Sequence, residues 1–338
     1  MLTIDVRNVH QAIPEGCYQM KNWGVQRDSR NGPVRMFPTP LTTVYQRPME
    51  RVEFWPTRDS NPFFHLMESI WMLAGRNDVA FVKQFSSGIA QFSDDGVNFN
   101  GAYGYRWRTW FGRDQLDEIV ANLKADPNCR RQVLAMWDGH KDLSDKCKDV
   151  PCNITATVQF NTSGALDLVV YNRSNDLIWG AYGANAVHFS VLLEYLAARL
   201  GVKVGRYYQV SANTHVYERH FDLSQNLAYY APHPEVGEKR SCPYTAGSVR
   251  ATPLMDKDMD AWHRDLELFM ARTHFEYETV AFGQLDVVRE AYLIFKDKTN
   301  PDRHDDAIAE LGDLPDGSDW RVACELWLER RKARCSTK

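Results

Sequence analysis

The chain has 338 residues, of which 44% are hydrophobic, 12% aromatic and 25% charged, a balance that excludes disordered, collagen-like and coiled-coil classes. Forty Lys and Arg against 44 Asp and Glu leave a formal charge of -4, so no global positive field draws in nucleic acid, and any anion site has to be local. No apolar run approaches the roughly 18 residues that span a bilayer, and the first residues lack a secretion signal, so a cytoplasmic protein with no membrane partner is expected.

In chain order, Asn61-Pro62 reads as the N-cap and first position of a helix. Its apolar residues run all round from Phe63 to Ala74 and stop at Gly75, which predicts burial. Asp114 opens an amphipathic helix with Leu116, Ile119, Val120 and Leu123 on one stripe, ending before Pro127 and expected at the surface. Gln132 to Trp137 reads as a strand. Thr155 to Phe160 and Ala165 to Tyr171 are β-prone runs joined by Asn161-Thr162-Ser163-Gly164, a hairpin pattern. Asn185 to Leu200 is a long apolar helix closed by Gly201, and Gly205 to Ala212 returns as a strand. These elements predict an α+β core over residues 1–225. A soft boundary falls between Asp222 and Gly247, where Pro232, Pro234, Gly237, Pro243 and Gly247 cluster. Helical periodicity dominates 256–336, so 226–338 is read as a helical region packed on the core. The basic run Arg330-Arg331-Lys332-Ala333-Arg334 reads as a solvated helix end.

Seven scattered cysteines show no paired Cys-x-x-Cys spacing, which predicts free thiols and no metal site. Cys152, between Pro151 and Asn153 at a strand edge, is either a small buried hydrophobe or a reactive thiol. Reactivity needs a lowered pKa and nearby cations, and hairpin geometry can bring Arg173-Ser174 back alongside it. Arg130 and Arg131 point to opposite faces of a strand, as a solvated charge pair or as anion ligands. Glu68 sits in the all-apolar helix, where a carboxylate raises its pKa or finds partners, for structure or for function. His215 and Tyr217 share one face of an extended segment, suited to a sugar hydroxyl or to satisfaction in the core.

Taken together, Glu68, Tyr103-Gly104-Tyr105-Arg106-Trp107-Arg108, Arg130-Arg131, Pro151-Cys152, Tyr171-Asn172-Arg173-Ser174-Asn175-Asp176, Asn185 and Thr214-His215-Val216-Tyr217 form an ordered set over residues 27–222. The set resembles the thymidylate synthase and pyrimidine hydroxymethylase family. The resemblance implies a mixed sheet packed with long helices, a homodimer, and transfer of a one-carbon unit from 5,10-methylenetetrahydrofolate to C5 of a pyrimidine nucleoside monophosphate. By position, Cys152 matches the nucleophile that adds to C6. Glu68 matches the acid that organises proton transfers. Asp176 matches a carboxylate facing the folate, and Tyr103 belongs to the motif beside the catalytic group. Arg173 and Ser174 match phosphate ligands, and Arg130 and Arg131 match the pair lent by the other subunit. The N-terminal phosphate arginine is matched to Arg30, with Arg27 and Arg35 as rivals. Asn185 matches the amide that reads the base edge, and His215 and Tyr217 match the pair on the sugar hydroxyl.

Five departures from the family pattern stand out. The Gly180-Ala181-Tyr182-Gly183-Ala184 connection carries one residue more than usual before Asn185, so base recognition is open to rearrangement, and Asn213 stands where Asp is expected. Ile89 and Phe92 stand where thymidylate synthases place two Trp. Asn153 follows Pro-Cys where His is common, and Arg334-Cys335-Ser336-Thr337-Lys338 replaces the usual apolar closing residues. A site that excludes water less well favours hydroxymethylation over reductive methylation to dTMP. An Asn amide suits uracil or, flipped, cytosine, and a retained Asn tilts toward uracil, so dUMP, dCMP and CMP all stay open. Acyl transfer by Cys152 with His215 and a nucleic-acid-binding surface are the competing classes.

Overall fold

The computed structural model describes residues 1–143, 146–232, 241–272 and 276–336. Among the described residues ten strands form two sheets. β1 (Leu2–Val6), β4 (Leu41–Tyr45), β9 (Val204–Ser211), β7 (Leu166–Asn172), β6 (Asn153–Phe160) and β5 (Val133–Ala135) lie side by side in that order. β2 (Val25–Arg27), β3 (Val34–Met36), β10 (Thr214–Tyr217) and β8 (Asn175–Asp176) make the smaller sheet. Both are mixed: β1 with β4, β7 with β9 and β8 with β10 run parallel, and the other pairs run antiparallel. This is the α+β arrangement that the sequence predicts.

The predicted helices form for the reasons that mark them. The Pro62–Leu73 helix is capped by Asn61, whose side chain accepts from the Phe64 amide at 3.2 Å, and Gly75 beyond its end has φ 69°. Asp114 caps the Gln115–Ala125 helix through the Leu116 and Asp117 amides, and the predicted apolar stripe is buried. The Asn185–Leu200 helix ends at Gly201, with φ 70°. The strand expected over Gln132 to Trp137 is shorter, because the Met136 and Trp137 amides both donate to the Ile154 carbonyl and the ladder pinches off.

The helix Val9–Trp23 has no clear sequence signal because Pro14 lies inside it. Proline cannot donate to the His10 carbonyl one turn back, and Trp55 Nε1 takes that place at 2.7 Å. The short strands β2 and β3, three residues each, are too brief to show a period.

Four helices, Met259–Ala271, Val280–Lys296, Arg303–Glu310 and Asp319–Ser336, fill the later part of the chain. Phe63 of the buried helix meets Tyr292 at 5.1 Å and Trp327 at 5.6 Å between ring centres. The Glu194 carboxylate, buried and paired with Arg51 at 2.6 Å, also accepts from the Leu254 amide at 2.7 Å. One apolar cluster therefore runs from the sheet into these helices. Of the predicted boundary residues, Pro234 and Gly237 lie outside the described residues. The basic end of the last helix is a correction to the sequence reading: Arg330, Arg331 and Arg334 converge on Asp59 at 3.0, 2.9 and 3.0 Å. Three guanidinium groups hold that helix end against the turn that precedes Asn61. Among the described residues no helix is long and apolar enough to cross a membrane.

Candidate active site

Strand register assembles the site. Asn153 of β6 faces Asn172 of β7, Asn172 faces Ser211 of β9, and Asp176 of β8 faces His215 of β10. Cys152 stands just ahead of β6, and its carbonyl accepts from the Arg173 amide at 2.9 Å. Tyr103 Oη accepts from the amides of Cys152 and Asn153 at 3.1 and 3.2 Å, fixing the loop that carries the thiol. Tyr103 can reach there only because Gly104 packs against the buried helix, where a Cβ would lie 2.0 Å from the Met72 carbonyl. Arg173 comes alongside as expected, with Nη2 3.9 Å from Cys152 Sγ, and also donates to the Pro151 and Val150 carbonyls at 2.8 and 3.0 Å.

The expected lowering of the Cys152 pKa does not occur. Burial pushes the thiol up, and the opposing pull of Arg173 is smaller.

Beside Arg173 lies an open cavity of ≈ 410 Å³ lined by Arg30, Arg173, Ser174, Asn213, His215 and Tyr217 among others. Of the three candidate N-terminal arginines, Arg30 lines it. Arg35 is engaged elsewhere, stacked 3.7 Å over Phe221 and 3.6 Å from Glu218, and Arg27 is exposed on β2. Burial lowers the pKa of His215 against the pull of Asp176, so its ring is neutral at pH 7, with Nδ1 3.0 Å from Asn213 Oδ1. Tyr217 Oη accepts from Asn31 at 3.4 Å. Arg130 and Arg131 are exposed and line neither this cavity nor the next.

A second cavity, of ≈ 200 Å³, is lined by Glu68, Trp71, Ile89, Phe92, Tyr103, Asp149, Asn185 and His188 among others. Glu68 Oε2 lies 3.0 Å from His188 Nε2, a partner the sequence did not suggest. Ile89 and Phe92 are part of this wall, and Phe92 is 53% exposed, a thin cover in place of two indoles. Asp176 accepts from the Ile178 and Trp179 amides at 2.9 and 2.8 Å, so one oxygen caps the turn that follows, and burial raises its pKa.

Behind Asn185 four side-chain amides close a ring. Asn153 donates to Asn185 at 3.3 Å, Asn185 to Asn175 at 3.1 Å, Asn175 to Asn172 at 2.8 Å, and Asn172 back to Asn153. Ser211 Oγ donates to Asn172 at 3.1 Å and accepts from Asn175 at 3.2 Å. Turning any one amide would set oxygen against oxygen and N–H against N–H, so the four hold a common sense. Beyond these ring bonds Asn185 has one further N–H and one further lone pair, and it lines the second cavity. The connection before Asn185 is a widened turn, Leu177–Ala184, whose Tyr182 and Gly183 leave helical geometry, and Asn185 is the first residue of its helix. Asn153, Asn172 and Asn175 stand in the stretches that sequence reasoning singles out but receive no site role there, and Ser211 is not singled out, because polar residues at strand ends look like ordinary turn chemistry. Asp149 hides in a short charged stretch that reads as solvated loop.

Comparison with known proteins gives the family. The family profile described as thymidylate synthase matches residues 20–236. A deoxyuridylate hydroxymethyltransferase of Pseudomonas phage M6 is 50% identical over 335 residues, 98% of this chain and 95% of that protein. The similarity thus continues past residue 225, where the sequence motifs fade. A deoxyuridylate hydroxymethyltransferase of Bacillus phage SP01 is 43% identical over 189 residues, 53% of this chain and 49% of that protein. A putative thymidylate synthase of Methanosarcina barkeri is 32% identical over 148 residues, 44% of this chain and 64% of that protein. With a profile match over residues 20–236 and near full-length similarity to one of these proteins, the chain belongs to the thymidylate synthase family of enzymes.

Proposed function

We propose that this enzyme transfers a one-carbon unit to C5 of dUMP and completes the reaction with water, giving the 5-hydroxymethyl nucleotide. The observation that carries the reading is the position of Cys152 between two unlike cavities: Arg173 touches its sulfur from the basic one, and Tyr103 of the other holds its amide. A nucleoside monophosphate has the same division, with an anionic end, a hydroxylated sugar and a flat polar base.

Arg30, Arg173 and Ser174 take the phosphate, with planar guanidinium forks matched to its oxygens. His215 and Tyr217 take the sugar hydroxyl. Asn185 pairs its free N–H with O4 of uracil and its free lone pair with N3–H, and the amide ring keeps it from turning toward the cytosine pattern. The thiolate of Cys152 adds to C6, and C5 becomes nucleophilic. Glu68, beside His188, moves protons at the base edge. Asp176 faces the folate with the oxygen that its capping role leaves free.

The aromatic wall of Trp71, Phe92 and Phe99, with Ile89, fits the flat ring system of 5,10-methylenetetrahydrofolate, the donor that supplies the carbon at the oxidation level of formaldehyde. The thin cover at Phe92 favours water over hydride in the last step. The working unit is a homodimer in the cytoplasm, in which the exposed Arg130 and Arg131 reach the phosphate held by the partner subunit.

Weighing the products made from the methylene donor and each of dUMP, dCMP and CMP tests this reading. The expected result is 5-hydroxymethyl-dUMP without accumulation of dihydrofolate. A methylated base with stoichiometric dihydrofolate overturns it in favour of reductive methylation.

A further inference from the structure

Water addition to an exocyclic methylene needs a base, and Glu68 is already committed to the base edge. A second carboxylate faces the same cavity. Asp149 lies three residues before the nucleophile and is half-buried. Its Oδ2 accepts from the Gly101 amide at 2.7 Å, and its carbonyl accepts from Asn100 at 3.0 Å, so both ends of the residue are tied to the turn that leads into Tyr103. Gly101 permits this approach: a Cβ there would lie 2.8 Å from Asp149 Oδ1. Among the described residues neither Asp149 nor Asp176 has an ion-pair partner within 4.0 Å; one oxygen of Asp149 accepts from one amide, one of Asp176 from two, and of the two acids only Asp149 lines the cavity of Glu68 and Asn185. Burial raises the Asp149 pKa, and the charge of Glu68 adds to the rise. The charge of Asp149 in turn raises the pKa of both Cys152 and Tyr103, which places the carboxylate within electrostatic reach of the reacting sulfur.

We propose that Asp149 is the catalytic base that delivers water to the nucleotide, the residue that makes this a hydroxymethylating enzyme. The inference rests on the reading of the preceding subsection. The step begins with the nucleotide bound through C6 to Cys152 and carrying an exocyclic methylene conjugated with the C4 carbonyl. A water O–H bond breaks, its proton passes to the Asp149 carboxylate, and the oxygen forms a bond to the methylene carbon. The electron pair of the C=C bond moves into the enolate at C5 and O4. Collapse of the enolate restores the C5=C6 bond and expels the Cys152 thiolate. Nothing is oxidised or reduced, and the folate leaves as tetrahydrofolate. A carboxylate held against a main-chain amide, in a cavity with room for several waters and a thin cover, has the position and the proton affinity that the step requires.

Two exchange reactions, both free of folate, separate this role from the rest. In heavy-oxygen water, 5-hydroxymethyl-dUMP exchanges its hydroxyl oxygen by the reverse and forward passage of this step. In heavy-hydrogen water, dUMP exchanges its C5 hydrogen when thiol addition at C6 is followed by deuteron delivery to C5, loss of the C5 proton to a base and expulsion of the thiolate, with no oxygen bond made to carbon. The readout is the ratio of oxygen exchange to hydrogen exchange. Asp149→Asn is expected to lower that ratio by about 10²-fold or more, the scale of a lost general base. Asp149→Glu keeps the charge but moves it by one methylene, and is expected to give an intermediate ratio. An unchanged ratio in a folded Asp149→Asn or Asp149→Glu protein overturns the assignment. Absence of C5 hydrogen exchange in the wild type overturns instead the nucleophilic reading on which it rests.

Discussion

The cavity beside Arg173 and the cavity beside Asn185 have opposite chemistry, and each contributes one wall residue to Cys152: Arg173 reaches its sulfur and Tyr103 its amide. The first is open and basic, ≈ 410 Å³, and Arg30 and Arg173 lie on its exposed rim. The second is about half that size and faces its ligand with amides, carboxylates and aromatic rings. Charge recognition tolerates solvent, because a guanidinium pays little to exchange water for phosphate and needs no single orientation. Reading a neutral base edge does not tolerate it, since donor and acceptor differ only by the turn of one amide. The fixed hydrogen-bond ring therefore sits behind the second cavity and has no counterpart at the first.

Removing the thiol that joins the two regions has the largest expected effect. Cys152→Ala should lower turnover by on the order of 10⁴-fold, while nucleotide affinity, set by the cavities themselves, stays within about tenfold. Calorimetric titration alongside steady-state assays checks both, and unimpaired product formation removes Cys152 from the chemistry.

Next in size is Asn172→Ala, which touches only the second region. It leaves Asn153 Oδ1 and Asn175 Nδ2 short of their ring partners, and each buried polar group left unpaired costs about 1–3 kcal/mol. The dUMP to dCMP ratio of kcat/KM should fall by about tenfold or more, with the phosphate contribution intact. If the ratio holds, the ring does not orient Asn185.

Smallest is Arg173→Lys, confined to the first region. A point charge replaces a fork that also secures the Val150 and Pro151 carbonyls, so KM for nucleotide should rise about tenfold with no change in base preference. Equal wild-type affinity for nucleotide and nucleoside would show that this cavity is not a phosphate site.

Much of this was legible beforehand, and unevenly so. Asn61, Asp114, Gly75 and Gly201 mark their helix ends because capping is settled within a turn of chain. Cys152, Arg173 and Glu68 stand out because a thiol after proline, an arginine after a strand and a carboxylate in an apolar helix are each locally anomalous. The choice of Arg30 over Arg35 was not readable: Phe221 and Glu218, far along the chain, claim Arg35. Nor was the pKa of Cys152, where the cation arrives as expected but burial outweighs it.

By itself, then, the sequence determined the capped and strongly periodic elements and marked Cys152, Arg173 and Glu68 as candidates, since periodicity, caps and unusual side chains act over a few residues. Only the tertiary structure decided how the Asn185 amide is held and that the Asp149 carboxylate faces the same cavity. Asn153, Asn172 and Ser211 meet through the register of three strands, and Asp149 reaches the cavity through a turn some fifty residues earlier, which admits it by a missing Cβ. Register and close approach are cooperative properties of the whole sheet and its packing, and no local stretch of chain encodes them.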